Sequence, residues 1–172
     1  TEIWKMIPYD VQLVAALASV HDEVAEMQTG EGKTLVTAMG AILLSVHGRG
    51  VHVMTVNPYL AERDAAWMKP LYTFFGLTVG CINTTLPSSR ERQSAYRSDI
   101  TYGTTQEFGF DWLRDRLALR EDGQVQRNKN DRLVSAIVDE ADSIMIDEAL
   151  TPLIISGPSS AAPNPYWDTL NH

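Results

Sequence analysis

A mainly parallel α/β sheet with helices on both faces is the fold class this sequence predicts, and three observations predict it. Helix-like and strand-like segments alternate along the chain, which favours parallel strands joined by helical crossovers. A glycine-containing turn, Gln28-Thr29-Gly30-Glu31-Gly32-Lys33-Thr34, stands immediately before a long apolar run, Leu35 to Val46. A second apolar run, Val134-Ser135-Ala136-Ile137-Val138, ends abruptly in Asp139-Glu140-Ala141-Asp142. Open sheets of this kind bind ligands at the carboxyl ends of their strands, and both special segments fall there.

The elements follow in order. Val11 to Leu17 has good helix propensity, with Asp10 placed as its N-cap. Val24-Ala25-Glu26 reads as a short strand feeding the glycine turn, and a helix is expected from Lys33 to Val46, stopped by Gly48 and Gly50. Val51 to Val56 is a strand closed by the turn-forming Asn57-Pro58. Tyr59 to Phe75 is a helix with charges at Glu62, Arg63 and Asp64, kinked or split by Pro70 and capped by Gly76. Leu77 to Ile82 is the next strand, Arg90 to Arg97 a short helix, Asp99 to Tyr102 a strand and Thr105 to Leu119 a helix. Glu121 to Asp131 lacks apolar periodicity and reads as a surface loop. After the Val134–Val138 strand come a helix from Ala141 to Ala149, a strand from Pro152 to Ser156 and a linker from Ser159 to Pro165.

Composition narrows the class. The 172 residues are enough for one substantial core, and 44% hydrophobic with 21% charged residues is ordinary for a globular domain. Twenty-two acidic against fourteen basic side chains give a formal charge of −8, which argues against a surface that grips nucleic acid unaided. Cys81 is the single cysteine, so an intrachain disulfide is excluded and a reducing compartment fits. No stretch approaches the ~20 apolar residues a membrane helix needs. The N-terminus carries no signal-peptide pattern, and a chain opening on Thr1 leaves an earlier leader open. His21, His47, His52 and His172 lack metal-ligand spacing.

The chemistry-bearing segments form an ordered pair. Gly30 and Gly32 permit a tight turn in which successive N–H groups converge on phosphate oxygens at a helix N-terminus. Lys33 reaches phosphates as a mobile point charge, and the Thr34 hydroxyl is a ligand for Mg²⁺. Met27 occupies the first glycine position of the longer phosphate-loop pattern, so the turn fits the shorter T-G-x-G-K-T form. Downstream, a buried strand would deliver Asp139 to the metal through water and Glu140 to an attacking water. The pair predicts binding and hydrolysis of a nucleoside triphosphate. The aromatic residues Phe108, Phe110 and Trp112 read as packing a helix on the sheet, with Glu107, Asp111, Arg114 and Asp115 as solvated or domain-contact charges.

Four strings go further. Ala25 to Thr34, Ile100 to Thr104, Glu107-Phe108-Gly109-Phe110-Asp111-Trp112-Leu113-Arg114-Asp115 and Asp147 to Pro158 closely resemble the SecA family of bacterial preprotein-translocase ATPases, in family order. The EFGFDWLRD and TPLIISGP strings set it apart from ordinary DEAD-box RNA helicases. The resemblance implies a RecA-like P-loop NTPase domain over residues 1–158, with 159–172 a linker opening a truncated preprotein-crosslinking domain. It implies ATP and Mg²⁺ as cofactors, with Thr29, Gly30, Glu31, Gly32, Lys33 and Thr34 holding the phosphates and Glu140, Lys33 and Asp139 catalytic. It places Gln12 in an adenine-reading motif, with Met6 and Tyr9 against the base. Gln28 and Leu150 stand where the family usually has arginine, Asn57-Pro58 replaces Asn-Asp, and Ala141 makes a literal DEAD.

As function, the resemblance implies ATP-driven preprotein export through the SecYEG channel, with anionic lipids and unfolded preproteins as partners and a homodimer as one assembly. The implied location is cytoplasmic, peripheral to the inner face of the cell membrane. A nucleic-acid helicase built on the same engine, or a non-hydrolysing ATP-responsive interaction module, remain the alternatives that the residues alone leave open.

Overall fold

The structure, a computed structural model, describes residues 7–46, 48, 50–83, 89–120, 123–126 and 135–147. Nine regular elements alternate: α1 (Asp10–Val20), α2 (Lys33–Ser45), β1 (Val51–Thr55), α3 (Pro58–Phe74), β2 (Val79–Cys81), α4 (Ser89–Tyr96), β3 (Ile100–Thr104), α5 (Thr105–Leu117) and β4 (Ser135–Val138). The four strands form one parallel sheet in the order β2-β3-β1-β4. Val51 registers with Ile100 on one side and Ser135 on the other, which brings the ends of β1, β3 and β4 to one edge.

Strand alternation sorts the two faces. Val51, Val53, Ile100 and Tyr102 point to one side, where Ala38 and Ala41 of α2 and Ala61, Ala65, Met68, Leu71 and Tyr72 of α3 close the main core. Small residues on the helices let them lie close to the β-branched and aromatic strand residues. On the opposite face Ile82, Tyr96, Phe108 and Val125 form a second core under α4 and α5, and the His52 ring stacks on Phe108 at 4.3 Å. Gly80 is required there, because a Cβ on it would lie 2.6 Å from the Ala95 carbonyl oxygen and 2.8 Å from its Cα. α1 packs on α2 through Ala15, Ala16 and Val36.

Several expectations change in detail. Val24-Ala25-Glu26 forms no strand, Val24 is 92% exposed, and β4 stands last in the strand order among the described residues. Asp10 sits in the first turn of α1 and Tyr9 is the cap, because the Tyr9 N–H donates to Gln12 Oε1 at 3.0 Å. α3 is one helix through Pro70, started by Asn57, whose side chain accepts the Leu60 N–H at 2.9 Å. Only Val79–Cys81 of the Leu77–Ile82 run is strand, since the Thr78 N–H and hydroxyl both donate to the Asp99 carboxylate at 2.7 Å. α5 ends at Leu117, where Ala118 turns extended. After Ala141-Asp142 the chain winds as a π-helical turn over Ser143–Asp147. The predicted strand at Pro152–Ser156, the linker and most of the 121–131 loop lie outside the described residues.

The charges of the EFGFDWLRD string prove structural. Glu107 and Asp111 are buried, not solvated, and both bind Arg92, itself 9% exposed. Arg92 Nε and Nη2 donate to Asp111 Oδ2 at 2.9 and 2.6 Å, Nη1 donates to the Asn83 carbonyl at 2.9 Å, and the Tyr96 hydroxyl donates to Asp111 Oδ2 at 2.9 Å. Burial works against the guanidinium's charge, but Asp111 and Glu107 outweigh it and hold its proton more tightly than usual. Removing one partner of such a cluster strands the other charges in a low-dielectric interior. Arg92→Met should therefore cost about 3–5 kcal/mol in urea denaturation; a loss below about 1 kcal/mol would mean the cluster is effectively hydrated.

Candidate functional site

The glycine turn is shaped by its backbone. Gly30 has φ +88° and Gly32 has φ +84°, both in the left-handed region that favours glycine, and Gly32 is the N-cap of α2. The Leu35 and Val36 N–H groups donate back to the Gly32 carbonyl at 3.0 and 3.2 Å, so the amides of Lys33 and Thr34 ahead of them form the positive end of α2. The loop braces itself as well, because the Gln28 N–H donates to Glu31 Oε2 at 2.8 Å.

Gln12 reaches this loop from α1. Its Nε2 donates to the Glu31 carbonyl at 2.7 Å while its Oε1 accepts from Tyr9, so both ends of the amide are engaged. It is 7% exposed, and a Cβ on Gly32 would meet its Nε2 at 2.5 Å. The family resemblance implies that Gln12 reads an adenine edge; in this conformation its amide bridges Tyr9 and the glycine turn. Tyr9, 74% exposed, presents an open ring beside it, and Met6 lies outside the described residues. Thr29, Gly30 and Glu31 are exposed, and Thr34 is half-buried in the first turn of α2.

The second half of the site arrives on β4. The Asp139 N–H donates to the Met54 carbonyl at 2.9 Å, extending the β1–β4 pairing by one residue and fixing Asp139 at the sheet's carboxyl edge. Glu140 then turns sharply with φ +57°, a conformation that costs a non-glycine residue about 1–3 kcal/mol and recurs at working sites. That turn brings its Oε1 to 3.5 Å from Lys33 Nζ, an ion pair between side chains 33% and 42% exposed. Lys33, Asp139 and Glu140 line one cavity of about 730 Å³, which also takes in Thr37, Met27, Glu26 and Asp142. A second cavity of about 530 Å³, beneath α1, is walled by apolar side chains such as Leu13, Met39 and Leu71 and has no groups for phosphate chemistry.

The electrostatics of the larger cavity are lopsided. One lysine faces Asp22, Glu23, Glu26, Asp139, Glu140 and Asp142. An anionic phosphate chain would be repelled by such a wall unless a divalent cation came with it. Burial raises the proton affinity of Asp139 above the usual carboxylate range, Glu140 and Asp64 raise it further, and Lys33 opposes them. An oxygen-rich, electron-dense corner of this kind suits Mg²⁺, which takes one or two carboxylates together with substrate phosphates.

Two contributors were missed in the sequence. Thr37 lies one helical turn beyond Lys33 and shares the cavity wall, which the i, i+4 spacing could have revealed. Asp64 is 3% exposed, with Arg63 Nε and Nη2 both 2.8 Å from its Oδ1. Helical periodicity could have revealed it, because Asp64 shares the i, i+3, i+4, i+7 face of Ala61, Ala65 and Met68 while its neighbours Glu62 and Arg63 are exposed.

The raised proton affinity of Asp139 has a definite sign. Protonated Asp139 favours the folded chain; this contribution is complete below the ordinary aspartate range and is lost as pH climbs through the raised value. Asp139→Asn should therefore raise the melting temperature of the ligand-free protein at neutral pH by about 2–4 °C and flatten its decline from mildly acidic to neutral pH. A lower melting temperature at neutral pH would show that the Asp139 charge is stabilising.

Comparison with known proteins places this geometry in a family. The family model described as the SecA DEAD-like domain matches residues 1–171. The chain is 52% identical over 168 residues to the protein translocase subunit SecA of Amoebophilus asiaticus, covering 98% of this chain and 15% of that protein. It is 55% identical over 163 residues to the subunit of the same name from Chlorobium phaeobacteroides, covering 94% and 15%. In fold it is similar to a hypothetical ATP-dependent RNA helicase from Sulfolobus tokodaii, with TM-score 0.64 and 19% identity over 86% of this chain and 41% of that one. The likeness is one of fold, a RecA-like α/β domain, and the chain spans about 15% of the length of its SecA relatives. With its phosphate loop, DEAD turn and parallel sheet in family order, the chain belongs to the SecA DEAD-like domain family.

Proposed function

We propose that this chain is the first nucleotide-binding domain of an ATP-driven protein translocase, occupying residues 1–158, with 159–172 leading into a preprotein-crosslinking domain. The observation that carries the reading is the meeting of Lys33 with Glu140, beside Asp139, in one cavity at the sheet's carboxyl edge. Family membership supports it, because the SecA relatives are named as translocase subunits.

In this reading the amides of Thr29 to Thr34 and the Lys33 ammonium hold the β- and γ-phosphates of ATP. Thr34 and Asp139 are the residues that would hold Mg²⁺ when it is bound. The metal supplies charge neutralisation across the phosphate oxygens. Lys33 leaves Glu140 for the γ-phosphate, and the freed carboxylate orients the attacking water. Gln12, released from one of its two loop and cap contacts, reads the adenine edge, with Met6 and Tyr9 covering the base. Catalysis is then positioning plus charge stabilisation, with Glu140 accepting the water's proton.

The full-length protein would couple this cycle to moving unfolded preproteins through a SecYEG-type channel. It would do so from the cytoplasmic side, in contact with anionic lipids and with a homodimer as one assembly state. The acidic balance, −8 over 172 residues, supports a polypeptide cargo over nucleic acid.

In the full-length protein, Glu140→Gln should keep ATP affinity while turnover falls by roughly 10²–10⁴, as expected for loss of a positioned base. Unchanged hydrolysis would remove Glu140 from the mechanism. The isolated chain should turn over poorly, since arginine fingers supplied from elsewhere are worth ~10³–10⁵ in rate; fast hydrolysis by the purified chain would place all the catalytic groups within it.

A further inference from the structure

The outward face of α5 has a pattern that nucleotide binding does not use. Its inward face is fixed by Glu107, Phe108 and Asp111, all under 9% exposed. On the other side Gly109, Leu113 and Leu117 follow one another at i, i+4 and i+8, forming an apolar row along the helix. Leu117 is 80% exposed, and Leu119 just beyond the helix is fully exposed.

An aromatic–arginine pair flanks this row on each side. The Arg114 guanidinium lies 5.9 Å from the centre of the Phe110 ring, and that of Arg116 lies 4.8 Å from the Trp112 ring. Arg114 is also tied to Asp111 Oδ1 at 3.0 Å. Among the described residues Arg116 makes no ion pair, so its fork is open to solvent while its plane is held by the indole. Guanidinium groups held in this way lose little freedom when they bind a carboxylate. They form a cationic border on a chain whose net charge is −8.

We propose that this face of α5 docks an acidic amphipathic helix, whose apolar row lies on Gly109–Leu113–Leu117 and whose carboxylates meet Arg114 and Arg116 on the two flanks. Charge complementarity selects the occupant, and the apolar row between the arginines sets its amphipathic spacing. A base-stacking role fits less well, because the Trp112 ring is already covered by Arg116.

The test uses the 172-residue chain and a fluorescein-labelled helical peptide with leucines at i, i+3 and i+4 spacing flanked by glutamates, followed by anisotropy at low salt. Controls are the same peptide with lysine for glutamate and a scrambled peptide of equal composition. The acidic helix should bind, the scrambled one should not, and Leu117→Gln should weaken binding roughly tenfold at unchanged charge. Arg116→Glu should weaken it roughly tenfold and shift preference toward the lysine peptide. Both substituted side chains are exposed and lie outside the Arg92 cluster, and cooperative thermal melting confirms that each variant is folded. Equal binding of all three peptides, no binding, indifference to both substitutions, or displacement of the peptide by a single-stranded oligothymidylate would each overturn the proposal.

Discussion

Lys33 and Glu140 arrive from opposite ends of the chain, and their ion pair is the contact on which the rest of the site depends. Lys33 is placed by a helix that can begin only where Gly32 turns left-handed, and Glu140 by an edge strand whose ladder ends one residue earlier at Asp139. Neither placement is achieved by packing of the charged groups themselves. The sheet and α2 hold the backbones, and the side chains meet across a cavity that stays polar because six carboxylates line it. Such a cavity is unfavourable to a bare anion, so under the proposed function the phosphates would enter together with a divalent cation.

The molecule places buried charge in two different ways. Around Arg92 two carboxylates and a carbonyl satisfy the guanidinium, the Tyr96 hydroxyl donates to one of those carboxylates, and the cluster clamps α5 to α4 behind the sheet. Around Asp139 the compensation is incomplete, with burial, Glu140 and Asp64 working against its charge and Lys33 and the Glu140 backbone N–H opposing them. The first arrangement stabilises the fold. The second keeps a carboxylate in a destabilised environment that a bound cation would relieve, the usual trade of stability against activity at a working site.

The alternation of elements and both signature turns were legible in the sequence because backbone chemistry dictates them. Left-handed glycines, Asn57 as a cap and an apolar run ending in two acids each act locally. What escaped reading depends on partners distant in sequence. Val24–Glu26 has strand composition but pairs with no strand among the described residues. Glu107 and Asp111 look like surface acids until the fold buries them against Arg92. Gln12 was found through the family resemblance, yet its engagement with Glu31 and Tyr9 appears only when α1 is laid against the loop. Assignment of the family rested on strings too specific to arise from the fold alone, such as Glu107 to Asp115.

The central claim is that Lys33 and the carboxylates beside it form a receptor for a metal-bound triphosphate. Calorimetric titration of the chain with a non-hydrolysable ATP analogue, in magnesium and again in excess EDTA, tests it most directly. The account predicts binding that requires the metal and disappears in Lys33→Ala. Equal affinity with and without magnesium, or binding undiminished in Lys33→Ala, would contradict it.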